Sequence, residues 1–355
     1  MVPDFSPFKP GSTGRAHATS PAGQSQFQLA RQAFGAVHSE DIAELLVAEF
    51  LTCSIQSGSH GNCIYVEADG VRLLIDAGVT AKCLRDRLEA IGRSPHDIDA
   101  VLITHEHSDH TRCLAVFQRK YGFPVYITPA THRVLRERMD EAESCRPQAA
   151  GSVGNHGSAT GPTAFGTLWA YANETPRVNA IPRELARRRG QQRGGGGVVH
   201  FRAGESFTIG AVRIHAAPTP HDAVDGVVFV IEASGKRLGI FTDLGHPFHA
   251  LGELLSGVDA AYLESNHDPD MLWNGVYPYY LKQRIAGPAG HLANNESADV
   301  LNRSATARLN WVALAHLSGE NNTPDLALET HRQTVGESLP VTVAPRDCAS
   351  SLMRV

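Results

Sequence analysis

The sequence predicts a layered α/β (α+β) domain with a metal centre at its strand ends. Three observations carry that expectation. Short apolar runs recur along the chain, as in Cys63-Ile64-Tyr65-Val66, Val227-Val228-Phe229-Val230-Ile231 and Trp311-Val312-Ala313-Leu314-Ala315. Helical patterns fall between them. One further run, Ala100-Val101-Leu102-Ile103, leads straight into Thr104-His105-Glu106-His107-Ser108-Asp109-His110. That cluster puts four potential ligands at the mouth of a buried strand, where layered folds build their sites. Imidazole together with carboxylate suits zinc, manganese or iron(II).

Composition narrows the class. A chain of 355 residues has ample length for a buried core. A formal net charge of −5 provides no global basic field for nucleic acid or membrane, although a local patch would suffice. The 18 histidines fit metal chemistry better than any packing need. Cys53, Cys63, Cys83, Cys113, Cys145 and Cys348 form no CxxC pair and read as reduced thiols of a cytosolic protein. No signal peptide and no apolar run of membrane-spanning length is visible, so a soluble cytoplasmic protein with no membrane partner is expected.

In chain order, residues 1–48 are rich in proline, glycine and serine and read as a flexible leader. Order is expected from Phe50 onwards, in a domain spanning 49–345. Cys63-Ile64-Tyr65-Val66 and Val71-Arg72-Leu73-Leu74-Ile75 flank Asp69-Gly70, a strong hairpin signal. A glycine-rich loop, Ser57-Gly58-Ser59-His60-Gly61-Asn62, precedes them. Leu84, Leu88 and Ile91 mark a helix stopped by Gly92, and strand 98–103 delivers the histidine cluster. A helix from about His110 to Tyr121, a strand at 124–127 and a helix from Pro129 to Met139 follow. From about 140 to 200 apolar periodicity fades, and Arg183, Arg187, Arg188, Arg189 and Arg193 make a basic run before four glycines. This stretch reads as a surface insertion or as an arm that touches phosphate backbone. Strands resume at 212–215, 227–232, 238–241, 260–264 and 311–315, and Thr323-Pro324 opens a last helix. Residues 346–355 read as a tail, and no internal repeat of fixed period is visible.

A dinuclear hydrolytic site needs more ligands than the cluster holds. Three strand-end residues are the natural candidates: His221 in Pro220-His221-Asp222, Asp243 in Thr242-Asp243, and His316 in Ala315-His316-Leu317.

The pattern Thr-His-x-His-x-Asp-His, followed in order by His, Asp and His, resembles the metallo-β-lactamase superfamily. The resemblance implies an αββα sandwich as a single catalytic domain, with two divalent ions, zinc or manganese, in a cleft at the sheet edges. It implies that His105, His107 and His221 bind one ion, Asp109, His110 and His316 the other, with Asp243 between them. Further motifs resemble the YycJ/WalJ-like exonuclease branch, among them Leu263-Glu264-Ser265-Asn266-His267-Asp268, Gly290-His291-Leu292 and Ala315-His316-Leu317-Ser318-Gly319-Glu320-Asn321-Asn322. That branch implies a nuclease acting 5′ to 3′ on double-stranded DNA, with DNA rather than RNA as the partner.

Spacing separates the cousins. Asp243 follows His221 by 22 positions, which leaves no room for the tRNA-binding arm of RNase Z. His316 follows Asp243 by 73, too few for the extra domain of RNase J. Asp109 is expected both to bind metal and to orient the nucleophile, and His291 resembles the histidine of RNase Z that is proposed to donate a proton to the leaving group. Lys282, Arg284 and His267 are expected on the phosphate side by position, and Asp76 behind a ligand histidine. Two residues depart from the pattern: Cys113 stands where glycine is usual, and Ala293 where the branch has serine. A small-molecule hydrolase of the same fold, acting on a cyclic phosphodiester, thioester, lactone or β-lactam, stays open. The ligand set does not separate it from a nuclease. Oligomeric state is not legible in the sequence.

Overall fold

A two-residue turn organises the first half of the molecule. Asp69 and Gly70 both take positive φ, 49° and 77°, the geometry that lets a tight hairpin follow the natural strand twist. The computed structural model describes residues 49–144 and 196–355; the leader, the arginine run and most of the expected insertion lie outside them. The strands are β1 (Leu51–Gln56), β2 (Cys63–Ala68), β3 (Val71–Ile75), β4 (Ala100–Leu102), β5 (Val125–Ile127), β6 (Val198–His200), β7 (Ser206–Ile209), β8 (Val212–Pro218), β9 (Val227–Ala233), β10 (Lys236–Phe241), β11 (Ala260–Glu264), β12 (Trp311–Ala315), β13 (Val341–Val343) and β14 (Met353–Arg354). They form two sheets, ordered β14-β1-β2-β3-β4-β5-β6 and β13-β12-β11-β10-β9-β8-β7.

The two sheets share one plan. From β14 to β3 the pairings are antiparallel, and from β3 to β6 parallel. From β7 to β10 they are antiparallel, and from β10 to β13 parallel. The parallel half of each sheet needs crossovers, and helices supply most of them. On the first sheet these are α1 (Ala81–Ala90), the short α2 (Ser108–Thr111), α3 (Leu114–Tyr121) and α4 (Pro129–Ser144). On the second they are α5 (His249–Ser256), α6 (Pro269–Asn274), α7 (Tyr279–Ile285), α8 (Asn294–Ser304) and α9 (Pro324–Val335).

Alternation along each strand sorts side chains into separate cores. Ile64, Val66, Leu73 and Ile75 meet Ile214, Phe229, Ile231 and Ile240 between the sheets. Tyr65, Leu74 and Val101 face outward onto Leu84, Leu88 and Phe117 of the helices. Leu263, Val312 and Leu314 do the same against Leu251, Leu255 and Leu301. Three apolar layers between four layers of structure make an αββα sandwich. Each fully buried Leu, Ile or Phe contributes roughly 1.5–3 kcal/mol by leaving water.

Several expectations shift. The helix expected from His110 to Tyr121 is broken at residues 112–113, because α2 closes on the cluster while α3 starts afresh from Cys113. Both ends of the expected insertion are ordered, with α4 reaching Ser144 and β6 pairing β5 at 198–200. The expected tail returns to the first sheet as β14, paired with β1 through Leu51–Arg354 and Thr52–Met353. No helix among the described residues is long and apolar enough to cross a membrane.

Candidate active site

The site gathers at the C-terminal ends of strands from both sheets. His105 to His110 follow β4, Asp76 follows β3, His221 follows β8, Asp243 follows β10, Glu264 closes β11 and His316 follows β12. Three of these turns are strained: Asp76, Asp243 and His316 take φ of 66°, 59° and 56°. Such left-handed backbone is costly for non-glycine residues and persists where the surroundings hold it. Gly78 makes one close approach possible, since a Cβ there would lie 1.7 Å from the Asp109 carbonyl oxygen. The 57–62 loop then pins the cluster: Asn62 N–H donates to Asp109 O (2.8 Å), and Asn62 Nδ2 to Asp109 Oδ2 (3.2 Å). Across the cleft, Ser57 Oγ accepts from His316 N–H (2.8 Å).

All seven expected ligands come together. His105, His107 and His221 offer nitrogens within 4.8 Å of one another, and so do the donor atoms of Asp109, His110 and His316. Asp243 joins His105 and His110 in one such group and His316, His291 and Glu264 in another, so it stands between the two triads. Its Oδ2 lies 3.3 Å from His110 Nε2, and its Oδ1 3.6 Å from His316 Nε2.

The outer hydrogen bonds fix which nitrogen each ring turns inward. His110 Nδ1–H donates to Asp76 Oδ2 (2.7 Å), His221 Nδ1–H to the Gly290 carbonyl (2.8 Å), and His316 Nδ1–H to Glu264 Oε1 (3.3 Å). His105 Nδ1–H donates to Thr104 Oγ1 (2.9 Å), whose own proton is committed to Asp76. Each of these four rings therefore turns Nε2 to the centre, the nitrogen that would ligate a metal. His105 Nε2 and Asp243 Oδ2 are buried without a hydrogen-bond partner among the described residues.

The electrostatics make the same point. Burial opposes ionisation of Asp109 and Asp243, yet the surrounding histidines hold both well below the usual carboxylate range. Burial also works against a charge on His316, but Asp243, Asp109 and Glu264 push it up to about 10. His110 is driven well above its ordinary value against its burial by Asp243, Asp76 and Asp109. Carboxylates thus outnumber what neutral imidazoles can balance, and the pocket demands positive charge. Divalent cations meet that demand, so the donor set fits metal.

Glu264 was missed as a site residue. It is fully buried at the end of an apolar strand, and in the sequence its available signal was an acid closing the run Ala260-Ala261-Tyr262-Leu263. Its Oε1 accepts from His291 Nδ1–H at 2.7 Å and from His316, while Oε2 accepts from Leu244 N–H (2.8 Å) and Leu292 N–H (3.3 Å). His291 is thereby held with Nε2 free, in a cavity of about 450 Å³ that Asp109, Asp243, His316, Arg138 and Arg284 also line.

The remaining expectations divide. Asp76 stands behind His110 as expected. Arg284 lines the cavity, its Nε on Asp222 Oδ2 at 2.6 Å. Lys282 does not line it; its ammonium donates to the carbonyls of Trp273 (2.8 Å) and Gly275 (2.7 Å) and fixes that loop. His267 is 3% exposed and is not among the residues that line the cavity, so neither residue is placed to touch phosphate. Cys113 sits at φ −109°, a conformation open to any residue, so replacing glycine there costs no backbone strain. Ala293 is the residue before α8, buried and outside the cavity, so a serine there would cap a helix.

A four-layer sandwich with two ligand triads at its sheet edges defines a metallohydrolase of one fold class. Residues 57–251 match the family described as "Metallo-beta-lactamase superfamily", and the chain belongs to it. It is 29% identical over 273 residues to exodeoxyribonuclease WalJ of Streptococcus pneumoniae serotype 2, covering 77% of this chain and 83% of that one. It is 28% identical over 283 residues to exodeoxyribonuclease YycJ of Bacillus anthracis, covering 80% and 88%. Among solved structures, Zn(2+)-bound PqqB from Methylobacterium extorquens aligns with a TM-score of 0.54 at 16% identity, covering 84% of this chain and 99% of that one. The metallo-beta-lactamase fold protein YhfI from Bacillus subtilis aligns at 0.53 and 14%, covering 85% and 99%. These likenesses support the fold.

Proposed function

We propose that this chain is a metal-dependent phosphodiester hydrolase, a nuclease that degrades DNA from the 5′ end using two divalent ions, zinc or manganese. The observation that carries the reading is the pairing of two ligand triads on Asp243 beside His291, a histidine that lines the same cavity. The similarity to proteins named exodeoxyribonucleases over most of both chains supports DNA as the substrate. His105, His107 and His221 would hold one ion and Asp109, His110 and His316 the other, with Asp243 between. Ions bound there would supply Lewis acidity towards a phosphoryl oxygen and ready ionisation of water.

The chain's own residues do the rest. Asp109 Oδ2 accepts one hydrogen bond from Asn62 Nδ2, which helps fix its carboxylate to orient the attacking water and take its proton. As the new P–O bond forms and the ester P–O bond breaks, His291 delivers a proton from Nε2 to the leaving oxygen. Glu264 Oε1, on Nδ1, holds the ring in its orientation. Arg284 and Arg138, both in the cavity wall, are placed to neutralise flanking phosphates. Residues 49–355, both sheets included, make the catalytic domain. The six cysteines without a CxxC pair support a cytoplasmic setting.

The deciding assay gives the purified, Mn²⁺- or Zn²⁺-loaded protein 5′-labelled duplex DNA, RNA, bis-p-nitrophenyl phosphate and nitrocefin. Chelator-sensitive cleavage of the DNA and the diester is expected, with Asp109→Ala abolishing it, lowering bound metal and leaving the circular dichroism unchanged. Turnover of nitrocefin alone, or full activity in Asp109→Ala, would overturn the reading.

A further inference from the structure

Large hydrophobic side chains are rarely left in water as a group, because burying them releases free energy. Here Trp273, Val276, Tyr279 and Tyr280 are 45, 87, 67 and 73% exposed, and all four fall within residues 273–280. Helix α7, which begins at Tyr279, buries none of its residues. Yet this segment borders the catalytic cavity, since Tyr277, Leu281, Arg284 and Ile285 line it. The segment is also held in place. Lys282 Nζ bonds to the Trp273 and Gly275 carbonyls, and the Trp273 and Tyr279 rings lie 6.1 Å apart at 47°. Arg284, 60% exposed along its side chain, uses Nε on Asp222, and its terminal nitrogens have no hydrogen-bond partner among the described residues.

We propose that Trp273, Tyr279 and Tyr280 form a stacking platform for unpaired nucleotides of the strand whose scissile diester enters the cavity. The proposal rests on the phosphodiesterase reading above and adds the form of the substrate. Exposed aromatic faces beside guanidinium groups are the two elements of single-strand recognition, because every base has a π-face and every linkage a charge. Continuity with the cavity wall favours the nucleic-acid strand as occupant over a second copy of this chain. Inside a duplex the base faces are covered by their neighbours, so the platform selects an unpaired end. Its rigidity lowers the ordering cost of binding.

The test measures binding of a fluorescein-labelled oligothymidylate and of a hairpin duplex with both ends closed, by anisotropy, to the metal-loaded full chain. Tyr279→Ala and Tyr280→Ala should each weaken oligothymidylate binding on the order of tenfold, while binding of the closed duplex moves far less. The Tyr279→Phe and Tyr280→Phe rings should restore it, which sets stacking apart from a hydroxyl contact or a folding defect. Unchanged oligothymidylate binding in the double alanine variant overturns the platform. So does a dimer, seen by light scattering, that the variant splits while strand binding persists. Hydrolysis of bis-p-nitrophenyl phosphate by the unaltered protein reports separately on the phosphodiesterase reading, so each idea can fail alone.

Discussion

Glu264 shows how much a single buried carboxylate can govern. Burial raises the cost of its charge, but His291 and His316 hold its pKa down at about 2, so it is ionised throughout the working range. It acts through two rings, fixing the tautomer of a metal-ligand candidate and of the proton donor together. Glu264→Gln keeps the shape and removes the charge. Outer partners of this kind typically contribute 10–100-fold in metal affinity or activity. Titration with Zn²⁺ and turnover of bis-p-nitrophenyl phosphate should therefore both fall about 10–100-fold, with the melting temperature nearly held. Unaltered affinity and turnover would reduce Glu264 to a packing residue. The sequence showed the ligands more readily than this residue because ligands cluster in recognisable types. An acid at the end of an apolar run looks like a strand terminus until its partners, 27 and 52 positions away, are folded onto it.

At the scale of elements, legibility followed burial. β11 and β12 are central, buried strands, and their apolar runs marked their ends to the residue. β7 and β13 are edge strands, with alternate residues in water, and a period of two over three or four residues does not stand out. The Thr323 cap was legible because its side chain accepts from Leu326 N–H (3.2 Å) ahead of Pro324 at the first helical position. Helix α8 lacks the equivalent. Ala293 has the extended backbone of an N-cap (φ −71°, ψ 160°), and its N–H donates to Glu296 Oε2 at 3.0 Å, but it has no side-chain oxygen to return the bond. Ala293→Ser completes that box. It should stabilise the fold by about 1 kcal/mol and raise the melting temperature by about 2 °C. Because residue 293 is outside the cavity, turnover should stay within twofold. A large gain in turnover would instead make the serine a phosphate contact.

For the whole molecule, the shared plan of the two sheets explains why a site formed from scattered residues is so tightly gathered. Each sheet turns from antiparallel to parallel pairing, and the parallel strand ends of both, joined by His221 after antiparallel β8, deliver side chains to one cleft. No fixed sequence period announces this plan, because the connections differ in length while the pairing does not. Charge has the opposite character: its total is plain in the sequence and its distribution is not. A chain of net charge −5 repels a polyanion at long range, so binding to DNA must come from local cations. Arg138 and Arg284 supply two at the cavity. The largest remaining concentration is Arg183, Arg187, Arg188, Arg189 and Arg193, offset by Glu184, outside the described residues. Residues 183–193 include no ligand and none of the aromatic segment, so removing them tests the run itself. If the run contacts phosphates, each lost contact removes a released counterion, and the slope of log affinity against log salt becomes shallower by roughly 0.7–0.9. The expected result is weaker duplex binding at low salt, a flatter slope, and unchanged hydrolysis of bis-p-nitrophenyl phosphate. An unaltered slope would make the run a solvated insertion and leave the cavity arginines to hold the strand.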